Sequence, residues 1–238
     1  MKTIEVLYED EYLLAINKPA DMHSVNLAGK EKQNSIAEAI LDKDPSAKQV
    51  GLKPEDAGLV NRLDFETSGI LIAAKDKTTW KSLHELFKKE KVSKTYLALL
   101  EGQLAPRTPI ENYIGASGRS AKKMKLFKSK PSTKYRAQVA RSEFRLLKFF
   151  AKENISLAEI SISTGRRHQI RIHAKELKHP IVGDLLYGSK MLLGDFSAEF
   201  TSRQFFLHAY KYEFIHPANG KAISIKSELK NLGRFFSL

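Results

Sequence analysis

Apolar and polar positions fall into short blocks whose period changes along the chain. Residues 4–8 (Ile-Glu-Val-Leu-Tyr) and 12–16 (Tyr-Leu-Leu-Ala-Ile) flank an acidic turn, Glu9-Asp10-Glu11, and predict a hairpin. Asn17-Lys18-Pro19-Ala20 closes its second strand, and a polar loop with His23 follows. A helix is predicted from Asn34 or Ser35 to Leu41, stopped by Asp44-Pro45, with 43–57 as loop. The run Ile70–Ala74 is continuous, short and partly β-branched, the pattern of a buried strand. Asp76 is placed to cap the next helix, on which Trp80, Leu83, Leu86 and Phe87 share one face. Lys88, Lys89 and Lys91 close that helix, as its dipole favours.

Residues 94–101 (Lys-Thr-Tyr-Leu-Ala-Leu-Leu-Glu) predict a strand ended by Gly102. The segment 103–132 holds Pro106, Pro109, Pro131 and most of a lysine block, and reads as irregular. Strands are predicted at 133–141, 143–151 and 155–163, then a Thr164-Gly165 turn and a short helix over 168–178 that His179-Pro180 terminates. Further strands are predicted at 204–215 and 222–226. There is no internal repeat and no low-complexity linker. Strands outnumber helices and many are hairpin-connected, so the expected class is α+β, with a largely antiparallel mixed central sheet flanked by helices, in a single domain over 1–238.

Composition changes this picture at one point, the charge. Forty Lys and Arg against twenty-seven Asp and Glu give a formal +13 over 238 residues, which implies a polyanionic partner, nucleic acid above all. The excess is uneven: 119–136 holds Arg119, Lys122, Lys123, Lys125, Lys128, Lys130, Lys134 and Arg136 and no acid. Such a block is either a solvated loop or an arm that tracks phosphates. The absence of cysteine excludes a disulfide framework, a thiolate nucleophile and a Cys-based zinc site. Acids by residue 5 break any signal-peptide pattern, and no apolar stretch is long enough to span a membrane, so the expected compartment is the cytoplasm.

Two stretches are dense in candidate chemistry. In the first, Asn61-Arg62-Leu63-Asp64-Phe65-Glu66-Thr67-Ser68-Gly69, Asp64 beside Arg62 could be half of a structural ion pair or a reactive carboxylate on a rigid platform. In the second, 164–188, Arg166, Arg167, His168, Arg171 and His173 lie within eight residues. On a helix His168 and Arg171 share a face with Lys175 one turn on, whereas Ile170, His173 and Leu177 share another. His168 and His173 are five apart, which is not the spacing of a helical zinc pair. Gly183–Lys190 misses a phosphate loop because its Ser and Lys are transposed. Asp64 and Glu66 are too close in sequence for a glycosidase pair. A carboxylate, arginines, aromatic rings and a basic patch are together the parts of an enzyme that acts on an extruded nucleobase.

The motif Asn61–Gly69 resembles the His-Arg-Leu-Asp-x-x-Thr-Ser-Gly signature of the RluA family of pseudouridine synthases. Ile16-Asn17-Lys18-Pro19-Ala20, Lys94-Thr95-Tyr96-Leu97-Ala98, and Thr164–His173 with His179–Asp184 resemble further family segments in the same order, over about residues 4 to 226. The resemblance implies the pseudouridine synthase fold and an enzyme, free of cofactor and metal, that isomerises uridine in structured ribosomal or transfer RNA. By it, Asp64 is the catalytic aspartate, Tyr96 the active-site tyrosine, Arg171 the basic residue that pairs with the aspartate and Ile170 an apolar wall. Arg62 would fill the space of the flipped base, and Arg167, His168, Lys122, Lys123 and Lys125 would contact RNA. The chain departs from the motif at Asn61, in place of the usual histidine, and at Arg167, where Thr or Lys is common. It begins directly with the catalytic hairpin, so no S4-type domain is expected. No obligate protein partner is evident in the sequence, and a monomer is expected. A non-catalytic RNA-binding or ribosome-assembly role on the same fold is the competing reading.

Overall fold

The computed structural model describes residues 4–26, 34–116, 122–195 and 204–229; Arg119 of the basic block lies outside them. In chain order the elements are β1 (Glu5–Glu9), β2 (Leu13–Lys18), α1 (Ile36–Lys43), β3 (Ser68–Ala74), α2 (Lys77–Lys88), β4 (Ser93–Glu101), β5 (Arg107–Gly115), β6 (Lys125–Phe127), β7 (Gln138–Phe150), β8 (Ile155–Ile162), α3 (Gln169–Glu176), β9 (Leu207–Ile215) and β10 (Ala222–Lys226). They form two compact units, Met1–Lys94 with His208–Leu238, and Thr95–Leu207. Strands dominate and pair in both senses, so the class is α+β as the sequence predicts. Among the described residues no helix is long and apolar enough to cross a membrane.

In the first unit the strand order is β1-β2-β3-β9, with β10 on β9. The predicted hairpin forms because Asp10 ties its own turn, accepting from the backbone N–H of Tyr12 (2.8 Å) and Leu13 (2.9 Å). The second carboxylate oxygen of Asp10 accepts from Tyr8 Oη and faces His216 Nε2 at 3.0 Å. β3, buried from Gly69 to Ala74, is antiparallel to β2 and parallel to β9. Gly69 (φ +107°) permits that parallel pairing: a Cβ there would collide with the backbone of Ala209. The predicted cap of α2 is present, with Asp76 accepting from the N–H of Thr78 and Thr79. Trp80 is buried and donates its indole N–H to Leu59 O at 3.2 Å. The core joins Ile16, Met22, Ile36, Ile40, Leu59 and Leu71, and Leu63 of the central motif packs against it.

In the second unit the order is β4-β8-β7-β5-β6. Two expectations fail here. The segment 103–132 is not irregular: it carries β5 and β6, and β5 contains Pro109. Among the described residues β6 reaches only Tyr113–Gly115, so 107–112 lies along an open edge where a missing N–H breaks no ladder bond. The strands predicted at 133–141 and 143–151 are instead a 3-10 turn over Thr133–Tyr135 and one thirteen-residue strand, β7. Ser142, near the middle of β7, does not break it because its buried hydroxyl accepts from Gln169 Nε2 (3.0 Å) and meets His173 Nδ1 (2.9 Å). Gln169 also donates to Arg141 O and accepts from Thr164 Oγ1 and Arg166 N, which stitches the start of α3 to β7.

The outer face of this unit alternates charge across strands. Arg107 meets Glu143 (2.7 Å), Arg141 meets Glu111 (2.7 Å) and Arg145 meets Glu159 (2.9 Å). Each pair bridges neighbouring strands, so three arginines are matched by three glutamates.

Candidate active site

In the first unit the backbone on both sides of Asp64 is fixed. Leu63 is held through both its main-chain groups by one side chain: the buried Ser24 hydroxyl accepts from Leu63 N (3.0 Å) and donates to Leu63 O (3.1 Å). On the other side, Phe65 O accepts from Lys18 Nζ (3.0 Å) and Met22 N (3.3 Å). The turn is closed by Thr67 N donating to Asp64 O at 3.2 Å. Arg62 is exposed and Asp64 half-buried, so the motif presents an acid between two anchored residues. The backbone of the turn is thus held on both sides of the acid.

Lys18 is the anchor that sequence reasoning left without a role. Its side chain is fully buried, and its ammonium donates to Pro19 O (2.8 Å), Met22 O (2.8 Å) and Phe65 O (3.0 Å). Burial pushes it from the ordinary lysine range down to about 7, while the negative charges of Asp64, Glu66 and Asp21 push it back up. Three carbonyl oxygens surround the amine, and only its charged form can donate to all three at once. The available signal was a lysine at the end of a largely apolar strand.

Asn61 has a defined place. Its Oδ1 accepts from Ile72 N (2.9 Å), and its Nδ2 donates to Ile70 O (3.3 Å) and Tyr212 Oη (3.4 Å). The amide thus acts as one extra peptide unit paired to β3, which an amide does as well as an imidazole. One residue of the motif's other end is tied as well, with Ser68 Oγ 2.8 Å from the buried His208 Nδ1.

In the second unit the predicted cations on α3 converge on partners the sequence did not reveal. Arg171 is buried and bidentate with Asp184, Nε to Oδ2 at 2.7 Å and Nη2 to Oδ1 at 2.9 Å. Its guanidinium lies over Phe205 (4.4 Å to the centroid) and Tyr187 (5.2 Å). His168, which caps α3 in a left-handed conformation (φ +54°), places Nδ1 2.9 Å from Tyr187 Oη, and Met124 N donates to the same oxygen. The shared face of His168 and Arg171 is therefore real, with Tyr187 as its common partner. Asp184 and Tyr187 both lie in the second dense stretch, but neither spacing nor residue type singled them out.

The remaining predicted residues divide by exposure. Tyr96 on β4 and Ile170 on α3 are buried, and Arg167 is exposed. Lys122, Lys123 and Lys125 are exposed, and Lys125 Nζ stands 5.4 Å from the ring of Tyr135, with Lys134 Nζ at 5.0 Å from the same ring. Asp64 and Arg62 belong to the first unit, all the others to the second.

Residues 12–176 match the model of the RNA pseudouridylate synthase family, across the turn of Asp64, Tyr96 and the whole of α3. The chain belongs to that family. It is 36% identical over 226 residues to ribosomal large subunit pseudouridine synthase C of Rickettsia felis, covering 94% of this chain and 67% of the relative. It is 36% identical over 229 residues to the protein of the same name from Buchnera aphidicola, again covering 94% and 67%. The chain thus spans about two thirds of the length of these relatives. The solved structure of human RNA pseudouridylate synthase domain containing 1 superposes with a TM-score of 0.72 over 98% of this chain and 86% of that one; at 24% identity this likeness concerns the fold. Family membership makes the chain an RNA pseudouridine synthase, an isomerase, and the resemblance of its four segments holds over its length.

Proposed function

We propose that this pseudouridine synthase isomerises specific uridines of ribosomal RNA, with Asp64 as the reacting carboxylate. The supporting observation is the pinned turn: Ser24 on one side and Lys18 on the other allow Asp64 little backbone freedom, as pre-organised catalysis requires. In this reading the carboxylate attacks sugar or base, the N1–C1′ bond breaks, the uracil turns and a C5–C1′ bond forms as the carboxylate is released; C5 then gives up its proton while N1 takes one up, so the atoms of substrate and product are the same. Tyr96 and Arg171 take part in the chemistry, Ile170 walls the base, Arg62 occupies the place of the flipped nucleotide, and Arg167, His168, Lys122, Lys123 and Lys125 hold RNA. The ribosomal substrate follows the names of the relatives, and one family model running through both units supports a single catalytic domain. The enzyme works without metal or cofactor, in the cytoplasm and as a monomer.

Pseudouridine mapping in total RNA from cells with and without the active protein identifies the position. Asp64→Asn and Asp64→Ala are expected to abolish product while RNA affinity stays within about twofold, a change near the 0.4 kcal/mol level. Product formed by Asp64→Ala overturns the role of Asp64. A wild-type protein that binds ribosomal RNA and alters no uridine favours the binding-only reading.

A further inference from the structure

Phe65, next in sequence to Asp64, is the only exposed phenylalanine among the described residues, at 38% relative exposure. Its ring is not loose. The main chain is tied through Phe65 O to Lys18 and Met22, and the ring lies 4.6 Å from that of His23, tilted by 47°. His23 is itself fixed, since its carbonyl accepts from Ile36 N at 3.0 Å and it bridges to Ser35. Two rings from segments well separated in sequence are thus held side by side by main-chain bonds on each. One of them stays open to solvent beside the candidate nucleophile. Core packing does not account for this, because the apolar residue that inserts into the core from this turn is Leu63.

We propose that the Phe65–His23 pair is a stacking platform for one nucleobase of the substrate RNA, the neighbour in the chain of the uridine that reacts. This rests on the reading of Asp64 given above. A flat, exposed ring takes a base by its π-face, and such stacking tolerates any base, so the platform adds grip rather than sequence choice. Successive Cα atoms are about 3.8 Å apart, so a nucleotide whose sugar meets Asp64 has its neighbour within reach of Phe65. The exposed Arg62 favours a polyanion at the same turn.

The test compares wild type with Phe65→Leu, Phe65→Ala and Phe65→Trp on in-vitro transcribed ribosomal RNA, and on a fragment of it bearing the mapped uridine with an abasic nucleotide on either side. Phe65→Leu and Phe65→Ala are expected to weaken Kd and kcat/KM by about 5- to 150-fold, the range of one stacked base, with Tm unchanged. Phe65→Trp is expected to retain affinity and to show quenched indole fluorescence on RNA addition. One of the two abasic positions should cost wild type the same factor and cost Phe65→Ala nothing further, a coupling that a purely structural role does not produce. The proposal is overturned if Phe65→Leu matches wild type, if the abasic penalty is equal in both proteins, or if the variants change oligomeric state and leave RNA affinity intact. A wild-type enzyme that makes no pseudouridine sinks the functional reading instead, and the Kd comparison on ribosomal RNA still decides the platform.

Discussion

Arg171 and Asp184 form a buried, two-bonded ion pair thirteen residues apart in sequence, with side chains 5% and 1% exposed. A guanidinium so placed is fixed in plane and direction before any substrate arrives. Asp184 also accepts from Tyr187 N, so the same carboxylate shapes the turn that carries the ring beneath Arg171. Removing one partner leaves the other charged and buried. Asp184→Ala is expected to lower stability by about 3–5 kcal/mol, and Arg171→Lys to lose most of the pair because an ammonium cannot make both bonds. Urea unfolding checks the first. For the second, kcat of Arg171→Lys should fall at least about tenfold, or 1.4 kcal/mol of barrier; an unchanged kcat would leave Arg171 a purely structural residue.

Lys18 gives a pH-dependent prediction. Its folded-state value near 7 lies below the 10.5 of an ordinary lysine, so between these values the unfolded chain holds the extra proton. Its contribution to stability is therefore present at high pH and is lost as pH falls toward 7, by at most about 1.4 kcal/mol per pH unit. Tm of wild type minus Tm of Lys18→Met, measured from about pH 7 to 10, should rise with pH. A flat difference would show that the three carbonyls hold the ammonium charged throughout.

His173 and His208 add a second dependence at lower pH. Burial pushes both down to about 4. Each is neutral in the fold, so the stability they confer is complete above about 6.5 and is lost as pH falls toward 4. The denaturation midpoint should drop over that window, and His208→Gln should flatten the drop. A midpoint independent of pH there would contradict it.

Asn61 is expected to act through β3. Asn61→Ala removes an acceptor for Ile72 N and should cost about 1–3 kcal/mol, with kcat reduced more than KM is raised. Asn61→His, which restores the residue usual in the family motif, should keep activity within about tenfold, or 1.4 kcal/mol. Steady-state kinetics on the mapped RNA decide it; full activity in Asn61→Ala would remove Asn61 from the site's support.

The lysine block is tested by salt. Neutralising Lys122, Lys123, Lys125 and Lys128 should reduce the log–log slope of RNA affinity against salt by roughly 0.7–0.9 for each phosphate that is no longer neutralised. An unchanged slope makes the block a solvated loop.

What could be read from the sequence was whatever depends on local period and local chemistry. β3 announced itself by an unbroken apolar run, and α2 by Asp76 and the spacing of Trp80 and Leu83, because both signals lie within a few residues. β5 was hidden by Pro109, whose cost depends on whether a neighbour pairs that edge, a non-local fact. β7 was cut in two at Ser142, a polar residue made acceptable only by Gln169 and His173 from another element. The candidate residues of each unit followed the same rule. Asp64 and Arg62 stood out by motif, and His168 with Arg171 by helical spacing. The supports Lys18, Ser24, Asp184 and Tyr187 owe their roles to partners that come together only in the fold.

The cross-strand ladder of Arg107, Arg141 and Arg145 with Glu143, Glu111 and Glu159 bears on traffic rather than on binding strength. A facet whose charges cancel gives a drifting polyanion nothing to linger on, so encounters there are brief and end in escape. RNA that meets this facet is expected to leave it as readily as it arrives, so the neutral ladder would not compete with charged surfaces elsewhere for the substrate.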